Sequence, residues 1–526
     1  MKIIRNLLTA IVLILEIGFV NAQTNSSSSR IIEADLNQVK GSTSKVWRKC
    51  VGAGRANEGL RADWQEQLRL TKKELGFEYI RMHGLLNDDM GVYFEDKKGN
   101  SIYNWQYIDV LFDFLVSIEV RPFVEIGFMP SALASGKQTI FWWKGNVTPP
   151  KSHDKWYAFI KAMTEHYTER YGKEEVRKWY FEVWNEPNLS GFFSGKMEDY
   201  FKLYDTTVKA IKDVDAAYRV GGPATAGNGW INEMIDHCVD NKQPIDFIST
   251  HTYGARQGFL DAEGTKGTKM SPNALIIAND VVETKNKIQS SRLPKLDLHY
   301  TEWSTCYTPT DPIHDTYHSA AYILANLKGT ESVANSMSYW VFTDIFEENG
   351  PRYSPFHGGF GLLNYQAIKK PAFFAYKFLN ELGNTELKNA DKDSWVTKNE
   401  RGDIKSLFWN CTLTFPTDTV SNQTYYKRDL PAKNLPATAI KFKNVKPGKY
   451  TLKITKVGYK SNDAYATYME LGSPMQLTKA NVKTIKDANT GKPYIAKTVV
   501  VGANKIFNYN LQMRENDVFF VELVRQ

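Results

Sequence analysis

The stretch Trp179-Tyr180-Phe181-Glu182-Val183-Trp184-Asn185-Glu186-Pro187-Asn188 reads as a buried strand with an abrupt polar end. Period-two alternation and aromatic content mark the strand, and Asn185-Glu186-Pro187 closes it. Pro187 has no N–H and restrains the residue before it, so Glu186 is expected to be extended with its carboxylate in a fixed direction. Amphipathic helices flank the strand. Trp156, Phe159, Ile160, Met163 and Tyr167 make an apolar stripe before it, and Tyr200, Phe201, Tyr204, Val208 and Ile211 make another after it.

The same alternation runs outward in both directions. Strands are predicted at residues 46–54, 77–84, 120–128, 179–185, 219–224, 247–253, 296–302 and 337–344, with further helices at 63–75, 105–118 and 315–327. Eight strand–helix units over about 330 residues fit an α/β fold of the (β/α)8, or TIM barrel, type. A doubly wound sheet fits fewer units, and no GxGxxG turn opens a nucleotide site.

Near residue 385 the pattern changes to strands, at 406–415, 450–457, 497–501 and 518–524, with turn signals such as Lys446-Pro447-Gly448 between them. Residues 386–526 therefore read as an accessory β-sandwich that packs on a barrel of residues 46–385. The lead-in, residues 23–45, begins Ser-rich (Ser26 to Ser29), and its segment from Arg30 to Lys40 is a candidate to complete the sandwich.

The 526 residues are ample for two domains, and 42% hydrophobic with 24% charged residues describes a globular chain. Aromatics reach 13%, with 13 Trp and 28 Tyr, a supply of surfaces that stack on ring-shaped ligands. The net charge is +8, of which Lys2, Arg5 and Glu16 account for +1 and the rest of the chain for +7. With no basic tail, arginine stripe or DNA-binding motif, that excess does not describe a nucleic-acid partner. Lys2 and Arg5 precede a mostly apolar stretch, residues 7–20, interrupted by Glu16 and followed by Asn21-Ala22-Gln23. Residues 1–22 are expected to be a signal peptide and the mature protein to be exported, periplasmic or extracellular. No later run suits a membrane span. Cys50, Cys238, Cys306 and Cys411 lie far apart with no CxxC, which leaves one or two disulfides or buried free thiols open.

Two carboxylates carry the chemistry. Glu186 ends the fourth strand, and Glu302, in Leu296-Asp297-Leu298-His299-Tyr300-Thr301-Glu302-Trp303-Ser304, ends the seventh. In a closed barrel those ends face one another across the mouth, where folds of this kind do chemistry. Two carboxylates flanking one bond suit glycoside hydrolysis. One protonates the leaving oxygen, and the other attacks the anomeric carbon or activates water there. No cofactor is implied. A metal site is disfavoured, because the nine His are scattered and His314 with His318 lack the intervening Glu of HExxH. A binding protein on a degenerate barrel is the non-catalytic alternative, and retention of both Glu186 and Glu302 speaks against it.

Several segments resemble glycoside hydrolase family 39: Trp184-Asn185-Glu186-Pro187-Asn188, Tyr300-Thr301-Glu302-Trp303, Arg81-Met82-His83-Gly84-Leu85, His251-Thr252-Tyr253, Phe342-Thr343-Asp344-Ile345-Phe346-Glu347-Glu348 and the stretch around Phe356-His357-Gly358-Gly359-Phe360. The resemblance covers most of residues 45–385. It implies Glu186 as general acid/base, Glu302 as nucleophile, and retention of configuration. It also implies that Asn185 donates to the sugar 2-hydroxyl and that His83 bonds outer hydroxyls. His251 and Tyr253 are expected to reach the nucleophile or the sugar, Glu347 and Glu348 to bind distal hydroxyls, and Tyr307 or its neighbour to bond Glu302. Loop aromatics Phe192, Phe193, Trp142 and Trp143 are candidates for stacking on the sugar. The Glu-Glu pair would oppose an anionic sugar, so the resemblance favours a β-D-xylosidase over an α-L-iduronidase, with α-L-arabinopyranoside and β-galactoside as neighbouring substrates.

Overall fold

The computed structural model describes residues 30–261, 264, 266–413 and 419–526. The predicted signal peptide, the Ser-rich stretch and Phe415 lie outside the described residues.

Eight parallel strands close into a barrel: β1 (Cys50–Arg55), β2 (Tyr79–His83), β3 (Arg121–Ile126), β4 (Tyr180–Val183), β5 (Arg219–Thr225), β6 (Phe247–Tyr253), β7 (Asp297–Ser304) and β8 (Ser336–Tyr339). Tyr339 pairs with Val51 to complete the ring. A helix follows each strand, in order Ala62–Leu75, Gln106–Ser117, His153–Tyr171, Met197–Lys212, Ile231–Asp240, Ile276–Gln289, His318–Thr330 and Pro371–Glu381. The apolar stripes read from the sequence face the strands. Trp156, Phe159, Ile160, Met163 and Tyr167 are all fully buried.

Several element ends differ from expectation: the strand expected at 406–415, for example, runs Ile404–Trp409, and three other ends have a visible physical reason. Val46–Arg48 forms a single 3-10 turn that buries Val46 and Trp47, so β1 begins only at Cys50. Pairing of β8 stops at Tyr339, after which Phe342 donates to Gly52 O and Asp344 to Leu363 O, turning the chain inward. The helix expected at 315–327 starts at His318, because Pro312–His314 forms its own turn.

Past the barrel, a three-stranded sheet (Ile31–Asp35, Thr438–Lys443, Phe507–Leu511) faces a seven-stranded sheet. The larger sheet runs Val39–Ser42, Thr385–Leu387, Ser394–Lys398, Ile404–Trp409, Val518–Arg525, Gly448–Val457 and Ile495–Val501. Ile32, Phe408, Ile440, Phe442, Leu452 and Phe519 fill the space between them. The lead-in thus contributes a strand to each sheet. The other face of the larger sheet packs on the barrel, where Phe378 stacks on Phe520 at 5.1 Å between ring centroids. Two helices, Ala464–Glu470 and Lys479–Ala488, were not foreseen. All four cysteines are unpaired thiols. No described helix is long and apolar enough to cross a membrane.

Candidate active site

Inward-facing residues of the strands stack in layers, as the period of two dictates. At the N-terminal end Tyr79, Phe123, Tyr180 and Phe247 close the barrel around His299, with Phe123 and Tyr180 stacked at 4.8 Å. Two residues further along three of these strands the character reverses to Arg81, Glu125 and Glu182. All are buried, and all sit on strands otherwise rich in apolar side chains.

Arg81 ties this layer together. Its guanidinium donates to Glu182 Oε2 at 2.5 Å, Glu302 Oε1 at 2.6 Å and Asn185 Oδ1 at 2.8 Å, and lies 2.9 Å from Glu125 Oε2. Because Arg81 occupies the amide oxygen of Asn185, the N–H groups of that amide are the ones left for a ligand. Glu125 also meets His83 Nδ1 at 2.7 Å, and burial pushes its carboxyl up to about 8.

Strict alternation would point Thr301 into the barrel and Glu302 out of it. The pairing of β6 with β7 shifts at this point, from Thr250 opposite Tyr300 to His251 opposite Glu302. The extra residue lets Thr301 and Glu302 both face inward and sends Trp303 into the wall. Glu302 then accepts from the Tyr253 hydroxyl at 2.6 Å on Oε2 while Arg81 holds Oε1.

Glu186 is re-aimed by its own backbone. Trp184 and Glu186 take φ of 73° and 45°, so Pro187 does not hold Glu186 extended as expected. The bend is secured by Glu186 N–H to Ala224 O at 2.9 Å and by Leu189 N–H to Glu186 O at 3.0 Å. It leaves Trp184 in the wall and the Glu186 carboxylate facing Glu302. Glu186 Oε1 meets His251 Nδ1 at 2.9 Å. One oxygen of each glutamate and a ring nitrogen of His251 all lie within 4.8 Å of one another. Retaining glycosidases hold their carboxyl groups about 5–5.5 Å apart and inverting ones about 6.5–9.5 Å. Burial lifts the Glu186 carboxyl to about 7, against the lowering effect of any charge on His83 and of Arg81.

The profile of the glycosyl hydrolases family 39 matches residues 30–504. The chain belongs to glycoside hydrolase family 39. It is 38% identical over 504 residues to a β-xylosidase of Caldicellulosiruptor saccharolyticus, covering 94% of this chain and 99% of the relative. A solved family 39 enzyme from Xanthomonas axonopodis pv. citri superposes with a TM-score of 0.91 at 40% identity, covering 95% of this chain and 98% of that one. A monomeric β-xylosidase from Caulobacter crescentus CB15 also reaches a TM-score of 0.91 at 40% identity, covering 94% and 100%.

In this family 39 barrel the two glutamates open onto a cavity of about 430 Å³. His83, Asn185, Tyr253, Tyr307 and Glu348 line it with them. His251 does not. It is fully buried behind Glu186 and meets the carboxylate of that residue. Tyr307 stands edge-on to Tyr253, and the bond to Glu302 expected of Tyr307 or its neighbour comes from Tyr253. Glu347 and Glu348 diverge. Glu347 points away from the cavity, accepting from Arg55 Nη2 at 2.6 Å. The buried Glu58 accepts Glu347 N–H at 2.8 Å and so fixes the turn that sends Glu348 inward. Burial, with Glu302 and Glu186 adding repulsion, holds the Glu348 carboxyl well above its usual range.

Of the loop aromatics, Phe192 lines the cavity, Phe193 and Trp143 are buried, and the exposed Trp142 lies outside the lining. His314 and His318 are buried packing residues. Trp340, Leu189 and Phe360 also line the cavity and were not foreseen. Gly52 makes room for Trp340, since a Cβ there would lie 2.3 Å from the indole. Arg81, Glu125, Glu182 and Thr301 escaped assignment too, although for the first three a charged residue inside an apolar strand is a visible signal.

Proposed function

We propose that the chain is an exo-acting, retaining β-D-xylosidase that removes xylose from xylosides or xylo-oligosaccharides. The observation that carries the sugar class is the cavity lining. It contains the carboxyls of Glu186, Glu302 and Glu348, and no Lys or Arg among the described residues. A uronic acid needs a cation or a set of N–H donors opposite its carboxylate, whereas a neutral pentose offers hydroxyls to acidic acceptors. The β-xylosidase relatives support the same choice. A volume of about 430 Å³ is near the small end of ligand pockets and suits a short ligand.

Glu302 attacks the anomeric carbon as the glycosidic bond breaks, and the departing oxygen takes the proton of Glu186. Water then gives a proton to Glu186 and displaces Glu302, so configuration is retained. The separation of the two carboxylates supports this double displacement. The raised Glu186 carboxyl supports its role as the acid. Asn185, with its amide oxygen held by Arg81, donates to the 2-hydroxyl, and Glu348 with His83 receives the remaining hydroxyls. Residues 1–22 act as an export signal, 46–385 as the catalytic barrel, and the sandwich as a packing domain.

The test is nitrophenol release by protein lacking residues 1–22 from β-D-xylopyranoside, α-L-arabinopyranoside, β-D-galactopyranoside and α-L-iduronide. The fastest rate should be on the β-xyloside. A faster rate on the iduronide overturns the sugar assignment and leaves the carboxylate roles standing.

A further inference from the structure

His251 sits in a chain of contacts whose proton positions can be deduced from the ends inward. Glu182 Oε2 accepts from Arg81 Nε at 2.5 Å, and its other oxygen lies 2.7 Å from the Thr301 hydroxyl. The hydroxyl has one proton, and a carboxylate engaged by a guanidinium offers only acceptors, so Thr301 donates to Glu182. Thr301 Oγ1 must then accept from His251 Nε2, 3.1 Å away. Burial keeps the ring neutral, pushing its pKa down to about 4. A neutral imidazole has one N–H, so with the proton on Nε2 the Nδ1 atom presents a lone pair. That lone pair faces Glu186 Oε1 at 2.9 Å, and the contact is a hydrogen bond only when Glu186 supplies the proton.

We propose that Thr301 and Glu182 are positioning residues that fix His251 in its Nε2–H tautomer and thereby hold the acid's proton on Glu186. This rests on reading Glu186 as the general acid/base. The other groups facing the imidazole are Glu302, 3.7 Å from Nδ1, with Arg81, Glu182 and His83 around it. When the glycosidic oxygen arrives it competes with Nδ1 for the Glu186 proton. Once the C1–O bond breaks and the proton leaves with the alcohol, the Glu186 anion faces an imidazole lone pair. That unfavourable pairing sharpens the carboxylate as a base toward the water that cleaves the C1–Glu302 bond and returns a proton.

The first test reads the tautomer without substrate, so it is independent of the sugar assignment. [15N]-histidine spectra of the wild type, with His251 assigned through His251→Gln, should show a protonated Nε2 and a lone-pair Nδ1. A protonated Nδ1 overturns the proposal. In Thr301→Val the ring is released to turn its proton toward the Glu186 carboxylate. The alkaline limb of the pH profile should then move down by about one unit, which is about tenfold in the protonated fraction above it. The loss should fall on alkyl glycosides, which need an acid, and far less on dinitrophenyl glycosides, which do not. Thr301→Ser keeps the hydroxyl and should restore the limb. Equal losses on both leaving groups, or no recovery with serine, refutes the positioning role. The wild-type spectrum decides the matter if the valine variant does not fold.

Discussion

Replacing Arg81 by Met keeps a long buried stem and removes the cation. In the wild type the guanidinium reaches four acceptors at 2.5, 2.6, 2.8 and 2.9 Å with no solvent exposure. Glu182, Glu125 and Glu302 are the carboxyl groups that this buried cation answers, and burial lifts that of Glu125 to about 8. Removing one partner of a buried ion pair costs about 3–5 kcal/mol, a large share of a total stability of about 5–15 kcal/mol. At roughly 2 °C per kcal/mol for a large domain, the melting temperature should fall by up to roughly 10 °C. The pH dependence is the sharper discriminator. Protons that neutralise the orphaned carboxylates bind the folded variant more than its unfolded chain, so the variant gains stability as pH falls toward 5. Wild type and variant should therefore differ most at pH 7.5 and converge at pH 5 in paired thermal and urea melts. A deficit under about 1 kcal/mol at pH 7.5, or one of equal size at both pH values, would refute the electrostatic account.

The Glu186 carboxyl at about 7 must be protonated to act as acid, so cleavage of alkyl xylosides should fall as pH rises through about 7. A profile flat across neutrality contradicts this. A 2-deoxy-2-fluoro-β-xyloside with a good leaving group should label Glu302 in the peptide Asp297–Ser304, read by mass spectrometry. Label on another carboxylate, or inverted product by NMR, removes the proposed nucleophile. Glu348→Ala should lower kcat/KM by about fivefold, the scale of a neutral hydrogen bond of about 1 kcal/mol, with little change in melting temperature. Glu347→Gln, which weakens the pair with Arg55, should do the reverse. Matching kinetic losses in both would show that the two glutamates share one role.

The barrel was legible because its strands are short apolar runs between helices with clear stripes, and β6 matched its expected limits residue for residue. Ends were misread where apolar residues serve packing instead of pairing, as Val46 and Trp47 do. The helix Lys479–Ala488 was missed because its apolar side is short, with only Ile485 buried and Val482 packed beside it. Glu186 and Glu302 stood out by their place after aromatic strands. What put them face to face did not, since a bulge at Thr301 and a left-handed turn at Glu186 are properties of pairing and backbone that no residue type announces. Nor could sequence separate Glu347 from Glu348, because a loop turn held by distant Glu58 decides which one faces inward.

The strand Ile31–Asp35 pairs in parallel with Thr438–Lys443, with the whole barrel lying between them in the chain. The first described strand therefore has no partner during synthesis until nearly the entire polypeptide has emerged. Contacts this far apart in the chain form late and carry a large loop-closure cost, which barrel folding lowers by bringing both segments to the same face. A fragment beginning after the barrel would present Thr438–Lys443 as a bare sheet edge open to pairing with a second copy. The two ends of this protein are in that sense one element, and the sandwich is the last part of the molecule able to finish.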